Sequence, residues 1–171
     1  IAVLVGFDCY LRMSEIAELR VCDISSVGEI VRRDTGTLVP LAHTKTGNNQ
    51  SVVVRRPGVA SLLEEWRDYV FRRTYHEEAL LFPSATEFRA LFTQAQRDLG
   101  WFQAGGEGVL FVPHSLRHGG ASVDYIGFGP TRIEEILFRG RWASMKSTRR
   151  YIQEGPAIMA STLRQVPEWQ R

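Results

Sequence analysis

Apolar residues recur at helical spacing across residues 1–20 and predict a helix there, with one buried face available to Leu4, Leu11, Ile16 and Leu19. After Gly28 the pattern changes to short β-prone runs, and these predict strands at residues 29–32, 37–43 and 51–55. The last two strands flank a turn signal, Thr46-Gly47-Asn48-Asn49. They are therefore predicted to pair as a hairpin.

The rest of the chain has mainly helical patterns. Pro57 opens a helix that runs to about Arg73, because proline at the first helical position gives up no intrahelical hydrogen bond. Ser84 and Glu87 form a capping box before a helix that runs to about Leu99. Further helices are predicted near residues 113–126, 131–139, 144–153 and 156–166. The predicted fold class is α+β and predominantly helical, with one small three-stranded antiparallel sheet.

Composition adds limits of size and charge. A length of 171 residues with 44% hydrophobic residues suits a single domain with its own core, so residues 1–171 are interpreted as one domain. The net charge of +2 favours nucleic-acid binding only weakly. The distribution of charge favours nucleic-acid binding more strongly, since one stretch without acids holds the basic residues Arg139, Arg141, Lys146, Arg149 and Arg150. A solvated helix face is the alternative interpretation of this basic patch.

Membrane and secretory classes are disfavoured by the sequence. No apolar run reaches the roughly 18 residues that a bilayer-spanning helix needs, and no signal peptide is recognisable. Cys9 and Cys22 lack the spacing of a zinc site and favour buried, reduced thiols of an intracellular protein. The chain begins at Ile1 inside an apolar run, which predicts a piece of a longer protein.

Two pairs of side chains have the i, i+3 spacing that places them on one helix face. In the first pair, Glu15 either stabilises the helix locally or holds the guanidinium of Arg12 ready for a phosphate. In the second pair, His114 and Arg117 would direct several N–H donors at one anion. Each pair alone also fits an ordinary helix-surface interaction.

Three further candidates are ambiguous when taken singly. Lys45, at the predicted hairpin tip, either keeps a sheet edge solvated or reaches a neighbouring cleft as a proton donor. Trp142 and Tyr151 have the pattern of core aromatics. The arginines beside Tyr151 would favour the phenolate form that a nucleophile needs.

The order of these residues resembles the tyrosine recombinase (phage integrase-like) family. That family's catalytic set is Arg, Glu or Asp, Lys, His-x-x-Arg, His or Trp, and Tyr, and here Tyr151 follows Trp142 by nine residues. Residues 11–20 and 113–118 are similar to the family's two arginine boxes. The segments Arg139-Gly-Arg-Trp142 and His118-Gly-Gly-Ala-Ser122 differ from the family's usual motifs and look closer to recombinases of eukaryotic mobile elements.

The resemblance implies a catalytic domain that cuts and rejoins DNA through a 3′-phosphotyrosyl intermediate, without a metal or a cofactor. It implies a catalytic set of Arg12, Glu15, Lys45, His114, Arg117, Trp142 and Tyr151. The partner would be double-stranded DNA, in the nucleus or the cytoplasm according to the source, and an N-terminal DNA-clamping domain would be missing from this chain. An apolar tail from Ile158 to Trp169 either folds onto its own core or docks into a neighbouring protomer of a DNA-bound tetramer.

Two other functions stay open at this point. A type IB topoisomerase would use the same chemistry to relax supercoils, and a domesticated DNA-binding module would keep the fold without catalysis. The complete residue set favours an enzyme over the binding module. The small size and the apolar tail favour a recombinase over the topoisomerase.

Overall fold

The fold is seen in a computed structural model that describes residues 1–26, 37–44, 47–100 and 111–152. Its helices are α1 (Ala2–Asp8), α2 (Met13–Ala17), α3 (Pro57–Thr74), α4 (Ala85–Asp98), α5 (His114–Phe128), α6 (Ile133–Gly140) and α7 (Met145–Tyr151). Its strands are β1 (Ser25–Ser26), β2 (Thr37–Thr44) and β3 (Gly47–Val54), and 3-10 turns occupy Val21–Asp23 and Pro130–Arg132. The predicted α+β, predominantly helical class is confirmed. Among the described residues, no helix is long and apolar enough to cross a membrane.

The sheet is an antiparallel hairpin with a very short third strand. β2 and β3 pair along their length, with Val39 opposite Val52. β1 adds only two residues beside β2, so the sheet is in effect two-stranded rather than fully three-stranded. The strand predicted at 29–32 lies outside the described residues. The turn predicted over 46–49 is wrong for most of its length, because Gly47 already pairs with Thr44 at a φ of 152° that favours glycine.

The helices predicted from Pro57 onward are confirmed as α3 to α7. α4 begins with the predicted capping box, in which Ser84 Oγ accepts from the Glu87 N–H at 3.3 Å. The Glu87 carboxylate in turn accepts from the Ser84 N–H at 3.0 Å. The helix predicted at 156–166 lies outside the described residues.

A single helix over residues 1–20 is a wrong prediction, because α1 and α2 are separated by a break at residues 9–12. Tyr10 has a left-handed backbone with φ 50°, and the Leu11 N–H donates to the Gly6 carbonyl at 3.1 Å. The break changes the direction of the buried face, so Leu4 is 44% exposed while Leu11 is buried. The apolar pattern was therefore correct for only part of the segment.

In the described part of the chain, the core consists of two clusters of buried residues. The first packs α1, α2 and α3 against the hairpin and includes Val5, Ile16, Val39, Val54 and Leu63. The second lies around α5 and α6 and consists of Tyr10, Ala121, Ile136 and Trp142. Because Tyr10 comes from the break between α1 and α2, this break carries the N-terminal part of the chain into the second cluster.

Gly120 allows α5 to pack closely against α1. A Cβ atom at this position would lie 2.1 Å from the Phe7 carbonyl oxygen and 2.8 Å from the Tyr10 ring. Only hydrogen fits there without movement of the backbone. The second of the paired glycines that follow the second arginine box is therefore required by this helix contact.

The two cysteines differ in environment. Cys9 is buried, and burial raises the pKa of its thiol to about 12. Cys22 is exposed, so the prediction of two buried thiols is wrong for this residue. The 3-10 turn Val21–Asp23 buries Val21 and directs Cys22 outward.

Candidate active site

Arg12 and Glu15 lie together at the start of α2. The backbone of Arg12 is extended, and its N–H donates to the Glu15 carboxylate at 2.7 Å. The Arg12 guanidinium donates to the same carboxylate at 2.8 Å. Glu15 is only 3% exposed. The predicted pair is formed, and its acid is a buried group that fixes Arg12 rather than a solvated surface residue.

Arg141 contacts the other oxygen of the same carboxylate. Its Nη2 donates to Glu15 Oε2 at 2.7 Å, and its side chain is 5% exposed. Its backbone is left-handed, with φ 53° and ψ 40°, where α6 ends. Burial lowers the pKa of Arg141, while the charge of Glu15 opposes that shift. Sequence reasoning missed this role and placed Arg141 only in the basic patch, although its position directly before Trp142 was a signal.

Arg117 is fully buried on α5. Its guanidinium donates to the backbone carbonyls of Tyr10 and Gly140, which ties the break after α1 to the end of α6. Burial lowers the pKa of Arg117 to about 10, and the charges of Arg12 and Arg141 act in the same direction. The side chain is therefore still charged at neutral pH. Its Nε has no hydrogen-bond partner among the described residues.

Tyr151, the last residue of α7, lies in a stack of rings. Its centroid is 4.6 Å from that of Trp142, with 26° between the planes. On another side it is 4.6 Å from the ring of His118, with 29° between the planes. The guanidinium carbon of Arg117 lies 5.3 Å from the Tyr151 centroid and 4.9 Å from that of Trp142. Tyr151 is thus held by two rings and a buried cation, an arrangement that restricts its motion.

Trp142 is buried in a position that depends on a neighbouring glycine. A Cβ atom on Gly140 would lie 2.2 Å from the indole ring, so a larger residue would displace it. The indole also stacks on Tyr10, with 5.9 Å between the centroids. Its Nε1 is buried and has no hydrogen-bond partner among the described residues. An unpaired buried N–H is uncommon in folded proteins and is available to an acceptor on a ligand.

His114 and His118 extend the site along α5. Their centroids are 5.2 Å apart, and the His114 ring lies 5.6 Å from that of Tyr151. Burial lowers the pKa of both histidines, and for His114 the charges of His118 and Arg117 add to the effect. Both imidazoles are therefore neutral at pH 7. The sequence analysis did not include His118 in the catalytic set, and the structure places its ring 4.6 Å from that of Tyr151.

The predicted basic patch divides into two sets. Arg139 and Arg141 have nearly buried side chains that pair with acids, since Arg139 Nη2 lies 3.2 Å from the Asp8 carboxylate and also donates to the Asp8 carbonyl at 2.6 Å. The remaining members are exposed on α7, namely Lys146, Arg149 and Arg150. A solvated face is thus the correct description of the α7 set alone.

The structure brings together most of the predicted site residues from distant parts of the chain. Those that it places in one cluster are Arg12, Glu15, His114, Arg117, Trp142 and Tyr151. Lys45 and the apolar tail from Ile158 to Trp169 lie outside the described residues. Among the described residues, no three His, Cys, Asp or Glu side chains are grouped as metal ligands.

The fold is similar to that of solved recombinase and integrase structures. No family model matches the chain, and no curated protein matches it. The XerA recombinase structure matches with a TM-score of 0.67 and 17% identity, over 95% of this chain and 56% of that one. The pre-cleavage complex of XerH site-specific recombinase with its difH substrate matches with a TM-score of 0.60 and 18% identity, over 88% of this chain and 41% of that one.

A third match is the Tn1549 transposon integrase in complex with circular intermediate DNA, with a TM-score of 0.60 and 14% identity over 94% of this chain and 56% of that one. The chain therefore spans about half the length of the structures that it matches. At these identities the likeness concerns the fold. The chain therefore has the fold of these recombinase and integrase structures.

Proposed function

We propose that this domain cuts and rejoins double-stranded DNA, with Tyr151 as a nucleophile that forms a transient 3′-phosphotyrosyl bond. The observation that carries the proposal is the position of the Tyr151 ring against the Arg117 guanidinium and between His118 and Trp142. Arg117 and Trp142 each keep a buried N–H without an acceptor among the described residues. A phenol beside a buried cation and unpaired donors suits a phosphate ester better than it suits an apolar core.

The proposed reaction consists of two phosphoryl transfers. Tyr151 Oη attacks the scissile phosphorus and loses its phenolic proton to water, while the P–O5′ bond breaks and the departing O5′ takes a proton from Lys45 to become a 5′-hydroxyl. A 5′-hydroxyl of a second strand then attacks the phosphotyrosyl bond and frees the tyrosine. Each step exchanges one phosphate ester for another, so the energy of the phosphodiester bond is kept and no nucleotide is consumed.

The other residues of the site stabilise charge in this mechanism. Arg12 and Arg117 would bind the non-bridging oxygens, on which negative charge grows in the transition state. His114 and the Trp142 indole would each add one donor. Preorganised donors of this kind contribute about 3–4 kcal/mol each. Lys45 would protonate the departing 5′ oxygen, which is a poor leaving group as an alkoxide.

The proposed partners are DNA and further copies of the chain. Exposed basic side chains at Lys146, Arg149 and Arg150 precede Tyr151 on α7 and fit contacts with the phosphate backbone. Two of the matched structures are complexes with DNA. The apolar tail from Ile158 to Trp169 would dock into a neighbouring copy and link the subunits of a DNA-bound tetramer.

A covalent trap tests the nucleophile. The chain is incubated with a library of random-sequence duplexes, each carrying a nick that lets the short 5′-hydroxyl strand diffuse away after cleavage. We expect an SDS-resistant protein–DNA adduct with the wild type and none with Tyr151→Phe, and sequencing of the trapped strands identifies the site. An equal adduct from Tyr151→Phe would show that another residue is the nucleophile.

The alternatives predict different products from the same DNA. A type IB topoisomerase would relax a supercoiled plasmid that carries the trapped sequence without joining two such sites. A domesticated DNA-binding module would bind the sequence and give no adduct. Recombinant products from two sites would separate the proposed function from both.

A further inference from the structure

Buried N–H groups without acceptors are concentrated at the candidate active site. Within the described residues, the arginine and tryptophan atoms of this kind are Arg117 Nε, Arg141 Nε, Arg141 Nη1 and Trp142 Nε1. All three side chains are almost fully buried, at 0% for Arg117, 5% for Arg141 and 6% for Trp142. Because nearly all buried donors in folded proteins are paired, this concentration indicates a site for a ligand with several acceptor oxygens. Arg141 contributes two of these donors.

The charge of the cluster also indicates an anionic ligand. Three guanidiniums, those of Arg12, Arg117 and Arg141, lie close enough that the charges of Arg12 and Arg141 lower the pKa of Arg117, after the larger effect of burial. Glu15 is the carboxylate that pairs with two of them, Arg12 at 2.8 Å and Arg141 at 2.7 Å. Because this carboxylate carries one negative charge, these ion pairs balance only one of the three positive charges. A bound phosphate group would supply negative charge at this place.

The backbone of Arg141 gives a third, independent indication. Its φ of 53° and ψ of 40° place it in the left-handed region at the end of α6, a position that glycine usually occupies. A residue with a Cβ atom is disfavoured there, because the Cβ atom crowds the following carbonyl oxygen. Strained residues of this kind persist where the surrounding structure holds them, and they cluster at functional sites. The side chain of Arg141 therefore needs a role that offsets the strain.

We propose that Arg141 is a third phosphate-binding arginine of this site, beside Arg12 and Arg117. The inference rests on the proposed function, because the phosphate would be the scissile group of DNA. Glu15 holds Nη2 of Arg141 and leaves Nε and Nη1 to donate to phosphate oxygens. The same carboxylate fixes Arg12 through its other oxygen, so one buried acid positions two arginines for one anion.

Binding of inorganic phosphate to the isolated chain tests this role without DNA. The titration follows the indole N–H signal of Trp142 by NMR, at constant ionic strength, with chloride as the reference anion. Arg141→Gly suits the left-handed backbone, so it removes the side chain without disturbing the end of α6. We expect this variant to bind phosphate at least about tenfold more weakly than the wild type, and Arg141→Lys to recover part of the loss.

Arg139→Lys is the matched control, because Arg139 is also a nearly buried arginine of α6 paired with a buried acid, Asp8. Its phosphate affinity should equal that of the wild type, and thermal unfolding of every variant shows that the comparison is made on folded protein. Wild-type affinity in Arg141→Gly would overturn the inference. So would a wild-type Trp142 signal that responds to phosphate no more than to chloride.

The role of Arg141 and the cleavage function are contradicted by different results. A wild type that binds phosphate through Arg141 but forms no covalent adduct in the DNA trap contradicts the cleavage function alone. If the wild type forms the adduct but Arg141→Gly binds phosphate as tightly as the wild type does, only the role of Arg141 is contradicted.

Discussion

Replacement of Glu15 by glutamine probes the charge balance of the site. Glu15 is 3% exposed, and its two oxygens accept from the guanidiniums of Arg12 and Arg141 at 2.8 and 2.7 Å. Glutamine keeps the size of the side chain and one carbonyl oxygen. It removes the negative charge and directs an NH2 group at an arginine, where two donors would face each other. The two arginines would then lack their shared counter-charge.

The burial of the two arginines sets the expected magnitude. Removal of one partner of a buried ion pair destabilises a protein by about 3–5 kcal/mol. The Arg141 side chain is 5% exposed and that of Arg12 is 20% exposed, so most of the loss comes from Arg141. We expect the free energy of unfolding of Glu15→Gln to fall by about 3–5 kcal/mol, a large share of the roughly 5–15 kcal/mol of a typical domain. Phosphate should stabilise this variant more than it stabilises the wild type, because the uncompensated charge favours the bound anion.

Urea unfolding followed by tryptophan fluorescence measures both effects, in chloride and in phosphate at equal ionic strength. Glu18→Gln is the control, since Glu18 is exposed directly after α2. It should change the free energy of unfolding by no more than about 0.5 kcal/mol. If Glu15→Gln were as stable as this control, the carboxylate would not be the group that holds the two arginines, and the charge argument for the site would fail.

Two further predictions concern α5. Gly120→Ala should lower the free energy of unfolding by about 1–3 kcal/mol, because its Cβ would lie 2.1 Å from the Phe7 carbonyl oxygen. Gly127→Ala on the same helix is the control: its Cβ would meet nothing within 4 Å, so it should raise the free energy of unfolding by about 0.5–1 kcal/mol. Calorimetry that gave the two changes the same sign would contradict the packing. Burial lowers the pKa of His118 from 6.5, so the unfolded chain binds more protons below pH 6.5 and the wild type should lose stability as the pH falls through that value. His118→Gln should reduce this loss, which is measured as the difference in the free energy of unfolding between pH 7 and pH 5 in urea. An unchanged difference would show that His118 is not its source.

The sequence predicted best the elements whose ends are determined locally. The start of α3 needed only Pro57, and that of α4 needed only Ser84 and Glu87, whose mutual hydrogen bonds are formed as the capping box requires. The order of the candidate site residues also predicted correctly that several of them lie close together, while their roles stay predictions. Arg12, Arg117, Trp142 and Tyr151 are scattered along the chain, yet the structure places them in one cluster.

The break in the first helix was not predictable from local pattern. No proline or glycine lies at residues 9–12, and the apolar spacing continues through Leu11. The break exists together with contacts to distant residues, because the backbone carbonyl of Tyr10 accepts from Arg117 and that of Asp8 accepts from Arg139. Such bonds, between residues more than a hundred positions apart, leave no periodic signal in the sequence.

The burial of Arg139 and Arg141 was hidden for the same reason. A run of arginines normally lies on a solvated face, and charged groups enter the interior only with partners. The partners here are Asp8 and Glu15, which lie more than 120 residues earlier in the chain. From the sequence alone, the two arginines could not be separated from their exposed neighbours Arg149 and Arg150.

The site is built where helices begin and end, and this explains how it holds several cations without a matching number of acids. Helix ends leave backbone carbonyls without intrahelical partners. Arg117 uses such carbonyls at Tyr10, beyond α1, and at Gly140, the last residue of α6. These bonds satisfy part of the guanidinium and leave its Nε unpaired. The contacts that stabilise the fold therefore also fix the donors in position, and under the proposed function such preorganised donors would need little rearrangement to stabilise a transition state.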